Sequence, residues 1–116
     1  MSYQIKELLL DHGDSPFAEW FGSLEAVAAA KVRVAVTRME QGNLSNVEWF
    51  RGIGEYKIDW GAGLRVYLAK DGLKIIILIG GGTKKRQQQD IDHAVALWEE
   101  YKRRKASTQK GKQAWH

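Results

Sequence analysis

The run Leu73-Lys74-Ile75-Ile76-Ile77-Leu78-Ile79 constrains this chain more than any other feature. It is nearly continuous aliphatic sequence of strand length, entered through Asp71-Gly72 and left through Gly80-Gly81-Gly82. Side chains on a strand point alternately to its two faces. A strand that is apolar in both directions must therefore be covered on both faces and sit inside a sheet. The whole chain has 116 residues, the size of a single domain, so the cover must come from its own elements.

The neighbours can be read from period-two patterns. Glu55 to Trp60 alternates, with Tyr56, Ile58 and Trp60 on one face and Glu55, Lys57 and Asp59 on the other. Gly61-Ala62-Gly63 is a tight connection, Leu64 to Lys70 alternates again, and Asp71-Gly72 is a two-residue hairpin signal. These hairpins set three strands side by side. Residues 3–10 read as a first strand, placed beside the aliphatic one, whose double-sided apolarity calls for a neighbour.

Between the first strand and the hairpins lie two helices. Ser15 is placed as an N-cap with Pro16 at the first helical position. Ser23 is expected to cap a second helix, in which Leu24, Val27, Ala28, Lys31, Val32, Ala35 and Met39 recur at helical spacing. Gly42-Asn43 stops it. Thr83 is expected to cap a last helix with a stripe of Ile91, Ala94, Val95, Trp98 and Tyr101. The order is βααβββα: an α+β fold with an antiparallel sheet, a helical hairpin and a C-terminal helix. Residues 1–105 read as one domain and residues 106–116 as a basic, flexible tail in which Trp115 can dock.

Several chemistries are excluded. Cysteine is absent, and His12, His93 and His116 have no metal-ligand spacing, so neither a metal nor another cofactor is expected. The longest apolar run, Ile75–Ile79, is far short of a membrane span. Met1–Lys6 shows no signal segment, which points to the cytoplasm. Gly52-Ile53-Gly54 lacks the following helix of a dinucleotide fingerprint, and Gly80-Gly81-Gly82-Thr83-Lys84 lacks the spacing of a phosphate loop. The net charge of +4 is uneven: residues 83–116 hold nine Lys and Arg against four Asp and Glu, or +5. Such an end fits a polyanionic partner, and equally a solvated helix and tail.

The hairpin register predicts a site. If Trp60 pairs with Leu64, Asp59 lies opposite Arg65 and Lys57 opposite Tyr67, all four on one face. The second hairpin then sets Arg65 beside Leu78 and Tyr67 beside Ile76, which the last helix or the first strand must cover. Lys84, Lys85 and Arg86 emerge at the Arg65 end. Asp59 and Arg65 form either a cross-strand ion pair or part of a phosphate-binding patch.

The stretch Gly52-Ile53-Gly54-Glu55-Tyr56-Lys57-Ile58-Asp59-Trp60-Gly61-Ala62-Gly63-Leu64-Arg65-Val66-Tyr67, followed by Gly80-Gly81-Gly82-Thr83-Lys84-Lys85, Asp90-Ile91 and Trp98-Glu99-Glu100-Tyr101-Lys102, resembles the RelE/ParE superfamily of toxins. It is most similar to the branch of phage-derived addiction module killer proteins that includes HigB-like chains, and Arg33, Arg38 and Gly42-Asn43 match that branch. The resemblance covers residues 3–105 and implies a RelE-like βααβββα fold. It also implies a toxin paired with a helix-turn-helix antitoxin, and inhibition of translation by metal-independent, ribosome-dependent cleavage of mRNA. By resemblance Arg65 is the arginine that stabilises the transition state, Lys57 matches a second-strand lysine, and Lys84 or Lys85 falls near a fourth-strand basic residue. Asp59 stands where RelE has a second lysine, and no tyrosine follows the last basic cluster. ParE-like relatives inhibit DNA gyrase and cleave nothing, and an inactive antitoxin-binding relative is the third possibility.

As a nuclease, the chain would let the RNA 2′-hydroxyl attack the adjacent phosphorus. Arg65 would stabilise the added charge, with Lys84 or Lys85 assisting. Lys57 or Asp59 would be the base, and Tyr67 would stack on a base or donate a proton. Lys84, Lys85, Arg86, Lys102, Arg103 and Arg104 would bind RNA phosphates.

Overall fold

The computed structural model describes the backbone of residues 2–113 and the side chains of residues 2–107. The strands are β1 (Gln4–Glu7), β2 (Val47–Phe50), β3 (Ile53–Ile58), β4 (Leu64–Asp71) and β5 (Ile75–Thr83). The helices are α1 (Pro16–Gly22), α2 (Ala26–Glu40) and α3 (Gln87–Gln113), with a 3-10 turn at Lys84–Arg86 between β5 and α3. The fold is α+β. The sheet order is β1-β5-β4-β3-β2, so the aliphatic strand β5 does lie inside the sheet, with β1 beside it. β1 runs parallel to β5 and the other pairs are antiparallel, so the sheet is mixed and not antiparallel throughout. Among the described residues no helix is long and apolar enough to cross a membrane.

The two faces of β5 serve two cores. On one face, Ile76 and Leu78 join Tyr56, Leu64, Val66 and Leu68 beneath Phe17 of α1 and Val32, Ala35 and Met39 of α2. On the other, Ile77 and Ile79 join Ile53, Tyr67 and Ala69 beneath Ile91, Ala94, Leu97 and Trp98 of α3. The helical hairpin and α3 thus sandwich the sheet, which is what a doubly apolar strand requires. Ser15 caps α1 as expected, its hydroxyl accepting from the Ala18 N–H at 3.0 Å. Ser23 instead ends α1, and Glu25 precedes α2. Thr83 precedes the 3-10 turn but its side chain makes no capping bond.

Further expectations need correction. β2 was not foreseen. It joins β3 through Arg51 and Gly52, with φ of 54° and 84°, between the paired Phe50 and Ile53. Two consecutive left-handed residues suit a two-residue hairpin. The β3–β4 connection spans Asp59–Gly63, because Ile58, not Trp60, pairs with Leu64. Trp60 and Ile58 are in consequence only partly buried.

The β4–β5 hairpin closes at Asp71–Ile75, not at Lys70–Leu73. Leu73 sits at the loop tip, 87% exposed. This odd-numbered shift turns Ile76 and Leu78 to the helical hairpin instead of the Arg65 face. A bulge at Ile79 then resets the register, so Tyr67 opposes Gly80 and Arg65 opposes Gly82. Finally, α3 continues past Lys105 to Gln113, while Trp115 lies outside the described residues.

Candidate functional site

The β3–β4 ladder pairs Lys57 with Arg65 and Glu55 with Tyr67. All four belong to the α3 side of the sheet, since the expected register was wrong by two residues and the face parity survives. Glu55 is the centre of the group. Its carboxylate is 1% exposed and accepts hydrogen bonds from the Tyr67 hydroxyl at 3.0 Å and the Gln87 amide at 3.0 and 3.2 Å. Arg65 Nε stands 3.7 Å from one carboxylate oxygen and Lys57 Nζ 3.8 Å from the other. A buried carboxylate needs this many partners to offset its lost hydration.

Arg65 is 8% exposed, and its Nη1 donates to the Gly63 carbonyl at 3.2 Å. The same carbonyl accepts from the Lys84 N–H at 3.0 Å. The loop before β4 and the turn after β5 therefore meet at one oxygen, which brings the start of the Lys84-Lys85-Arg86 turn beside Arg65. Gly63, at φ 84°, is in the left-handed region that favours glycine, and a Cβ there would lie 2.9 Å from Arg65 Nη1 and displace the guanidinium. Lys57 is the accessible cation of the group. Its side chain is 50% exposed and reaches Glu48 of β2 at 3.4 Å.

Burial, followed by the Glu55 carboxylate, pushes the Tyr67 phenol above its ordinary value. It keeps its proton and holds Glu55 in place. That differs from the stacking or proton-donating role expected of it: the ring is almost fully buried, in the α3 core.

Asp59 does not join this group. It lies beyond the end of β3 and lines a groove with Lys31, Arg38 and Asn46, a groove that Lys57 alone of the group also borders. The extra residues in the β3–β4 loop carry it away from Arg65.

The basic residues form two separate sets. Lys84, Lys85 and Arg86 are exposed at the Arg65 end. Lys102 pairs with Glu99 at 3.0 Å, and Arg104 pairs with Asp11 at 3.3 Å and donates to the Leu9 carbonyl. Arg103 is exposed on the same turn of α3. Next to them Lys105 and Tyr101 both bond Asp71, at the far end of β4. Six steps along the strand separate Arg65 from Asp71, about 20 Å at the usual rise. The α3 cations are thus remote from the Glu55 group.

Sequence reasoning missed Glu55 and Gln87. Glu55 shares the alternation of Lys57, which was a usable signal. Gln87 carried none, because it arrives through the path of the 3-10 turn. Among the described residues no cluster of His, Cys, Asp and Glu could hold a metal ion.

No family model matches the chain, and no solved structure matches it. It is 35% identical over 102 residues to an uncharacterized protein of Haemophilus influenzae, an alignment spanning 86% of this chain and 97% of that protein. Likeness of that extent over nearly the whole of both chains is likeness of one domain to another, and the chain belongs to the family of that Haemophilus influenzae protein.

Proposed function

We propose that this chain is a toxin of the RelE/ParE type, acting in the cytoplasm as a ribosome-dependent mRNA endoribonuclease and held inactive by a helix-turn-helix antitoxin. The observation that carries the reading is the Lys57–Arg65 cross-strand pair backed by buried Glu55, with Lys84 tied to the same end of the sheet. Glu55 offsets the repulsion between the two cations, and the half-exposed Lys57 side chain keeps positive charge of the group open to a ligand. A phosphoryl group gaining negative charge is a fitting recipient.

In this mechanism the RNA 2′-hydroxyl attacks the adjacent phosphorus. Arg65 and Lys57 take the developing charge, with Glu55, Tyr67 and Gln87 fixing their positions. Lys84, Lys85 and Arg86 hold the flanking phosphates. Asp59 has no part at the reacting phosphate. Lys57, used here as a cation beside two carboxylates, is not also the base, so the ribosome takes the 2′-hydroxyl proton and protonates the leaving 5′-oxygen. The mixed sheet with a helical hairpin on one face and α3 on the other is compatible with a RelE-like topology that carries an added strand, β2.

One observation favours a second reading. Arg65 is mostly buried and already engaged with Gly63 and Glu55. A wholly structural arginine would suit a ParE-like toxin that inhibits gyrase without cleaving RNA. The test is induction of the chain without antitoxin, followed by mapping of transcript 5′ ends. Growth arrest with new 5′ ends inside translated mRNA is the expected result. Arrest with intact transcripts and altered plasmid supercoiling would select the second reading. No arrest at good expression would remove both and leave an inactive relative that only binds its antitoxin.

A further inference from the structure

One cleft is lined mostly by residues that the mechanism above does not use. β1 pairs with β5 only as far as Leu78, so Gly80–Gly82 run past its end. Trp20 of α1 packs over Gly81 and Asp90 of α3 over Gly82, so closely that a Cβ on either glycine would overlap them. The glycines let an indole face and a carboxylate lie directly on opposite faces of the strand, and both border a cavity at the strand's open edge. This cavity of about 360 Å³ is also lined by the Tyr67 ring and His93, and is within the size range of small-molecule sites. An adjoining recess of about 230 Å³ shares Trp20, Gly81 and Asp90 and adds Thr83 and Arg86. Partial burial pushes the Asp90 carboxyl above its ordinary value, against the pull of Arg86 and His93.

We propose that this cleft binds one unstacked nucleobase bearing an exocyclic amino group, stacked on Trp20 with its amino edge on Asp90 and its phosphate toward Arg86. The inference rests on the RNA reading of the neighbouring face and names how that face selects sequence. Unpaired RNA bases are typically read by stacking on an aromatic ring and by hydrogen bonds to their edges. A carboxylate only accepts hydrogen bonds. Adenine, cytosine and guanine offer it an amino group. Uracil offers one N–H between two carbonyl oxygens, which the carboxylate repels. Glu19, which also lines the large cavity, keeps phosphate out of it, whereas Arg86 favours phosphate in the recess. Tyr67 links the two sites, since its ring borders the cavity and its hydroxyl bonds Glu55. A base in the cleft is therefore separated from the Lys57–Arg65 pair by the Tyr67 and Glu55 side chains.

The experiment is NMR titration of the full chain with CMP, AMP, GMP and UMP, read at the Trp20 indole N–H and assigned with Trp20→Phe. The three amino-bearing nucleotides should shift that resonance, with affinities about tenfold or more above that of UMP. Asp90→Asn, which presents a donor as well as an acceptor, should erase the preference while leaving the rest of the spectrum in place. Equal binding of UMP, no shift at Trp20, or a preference unchanged in Asp90→Asn would overturn the proposal. So would a shift produced by N-acetylarginine amide and by no nucleotide, which would mark the cleft as a receptor for a cationic side chain of a protein. Transcript mapping separates this inference from the nuclease reading. Cleavage without base-selective binding removes the cleft and keeps the nuclease, and selective binding without cleavage does the reverse.

Discussion

Lys57 and Arg65 face each other across β3 and β4, two cations in direct register, each within 4 Å of the same buried carboxylate. Glu55 is therefore the counter-charge that lets the pair exist. Glu55→Ala leaves Arg65 largely buried and unpaired and should cost ~3–5 kcal/mol. Glu55→Gln should cost less, because the amide oxygen still accepts from Tyr67. Urea unfolding of both variants checks the order. A loss below about 1 kcal/mol for Glu55→Ala would show that water, not Glu55, stabilises the two cations.

Trp98 tests whether α3 is part of the fold's core. Its ring is buried and stacks on Tyr101 at 5.1 Å between centroids. Trp98→Ala should cost ~3–5 kcal/mol by thermal or denaturant unfolding. A small loss with the native spectrum retained would mean that α3 docks through Ile91, Ala94 and Leu97 alone.

Alkaline stability follows from two tyrosines. Tyr67 is raised by burial and then by Glu55, and Tyr101 by burial and then by its hydrogen bond to Asp71. In the unfolded chain both phenols ionise near pH ~10. The folded chain holds those protons longer, so above that pH the unfolded state binds fewer protons and stability falls as pH rises. Tyr67→Phe should lower stability near neutrality by ~1–3 kcal/mol, since Glu55 loses a buried partner. It should also flatten the decline between about pH 9 and 11, where the phenol would have begun to ionise. Urea midpoints of both proteins across that range decide the matter. Parallel curves would mean that Tyr67 ionises freely in the folded state.

Much of this architecture was legible because parity is forgiving. An error of two residues in the β3–β4 register left Lys57, Arg65 and Tyr67 on one face, so the site could be read despite the wrong partners. An error of three in the β4–β5 hairpin did not forgive, and it sent Ile76 and Leu78 to the wrong core. Leu73 caused it, an apolar residue at a loop tip that reads as the start of a strand. β2 was hidden by its length and by Arg51, a residue type seldom found in the left-handed region its turn requires. The glycine run after Ile79 reads as a break, yet it is strand, made of glycine to admit Trp20 and Asp90. Such contacts join distant parts of the chain and leave no periodic trace.

The last prediction separates charge from geometry at Arg65. Under the proposed nuclease function Arg65→Ala should abolish growth inhibition, because removing one donor to a growing negative charge typically costs ~10²–10³-fold in rate. That variant alone is ambiguous, since it also strips Glu55 of a partner and lowers the amount of folded protein. Arg65→Lys resolves it. A lysine keeps a cation beside Glu55 and should retain most of the stability, but it cannot make the two-pronged contact of a guanidinium to phosphoryl oxygens. Arg65→Lys should therefore be folded, soluble, bound by antitoxin and non-toxic. Wild type and both variants are induced without antitoxin at matched soluble levels, with unfolding midpoints measured in parallel. If Arg65→Lys remains fully toxic, Arg65 serves only to hold the sheet together, and the case for catalysis on this face goes with it.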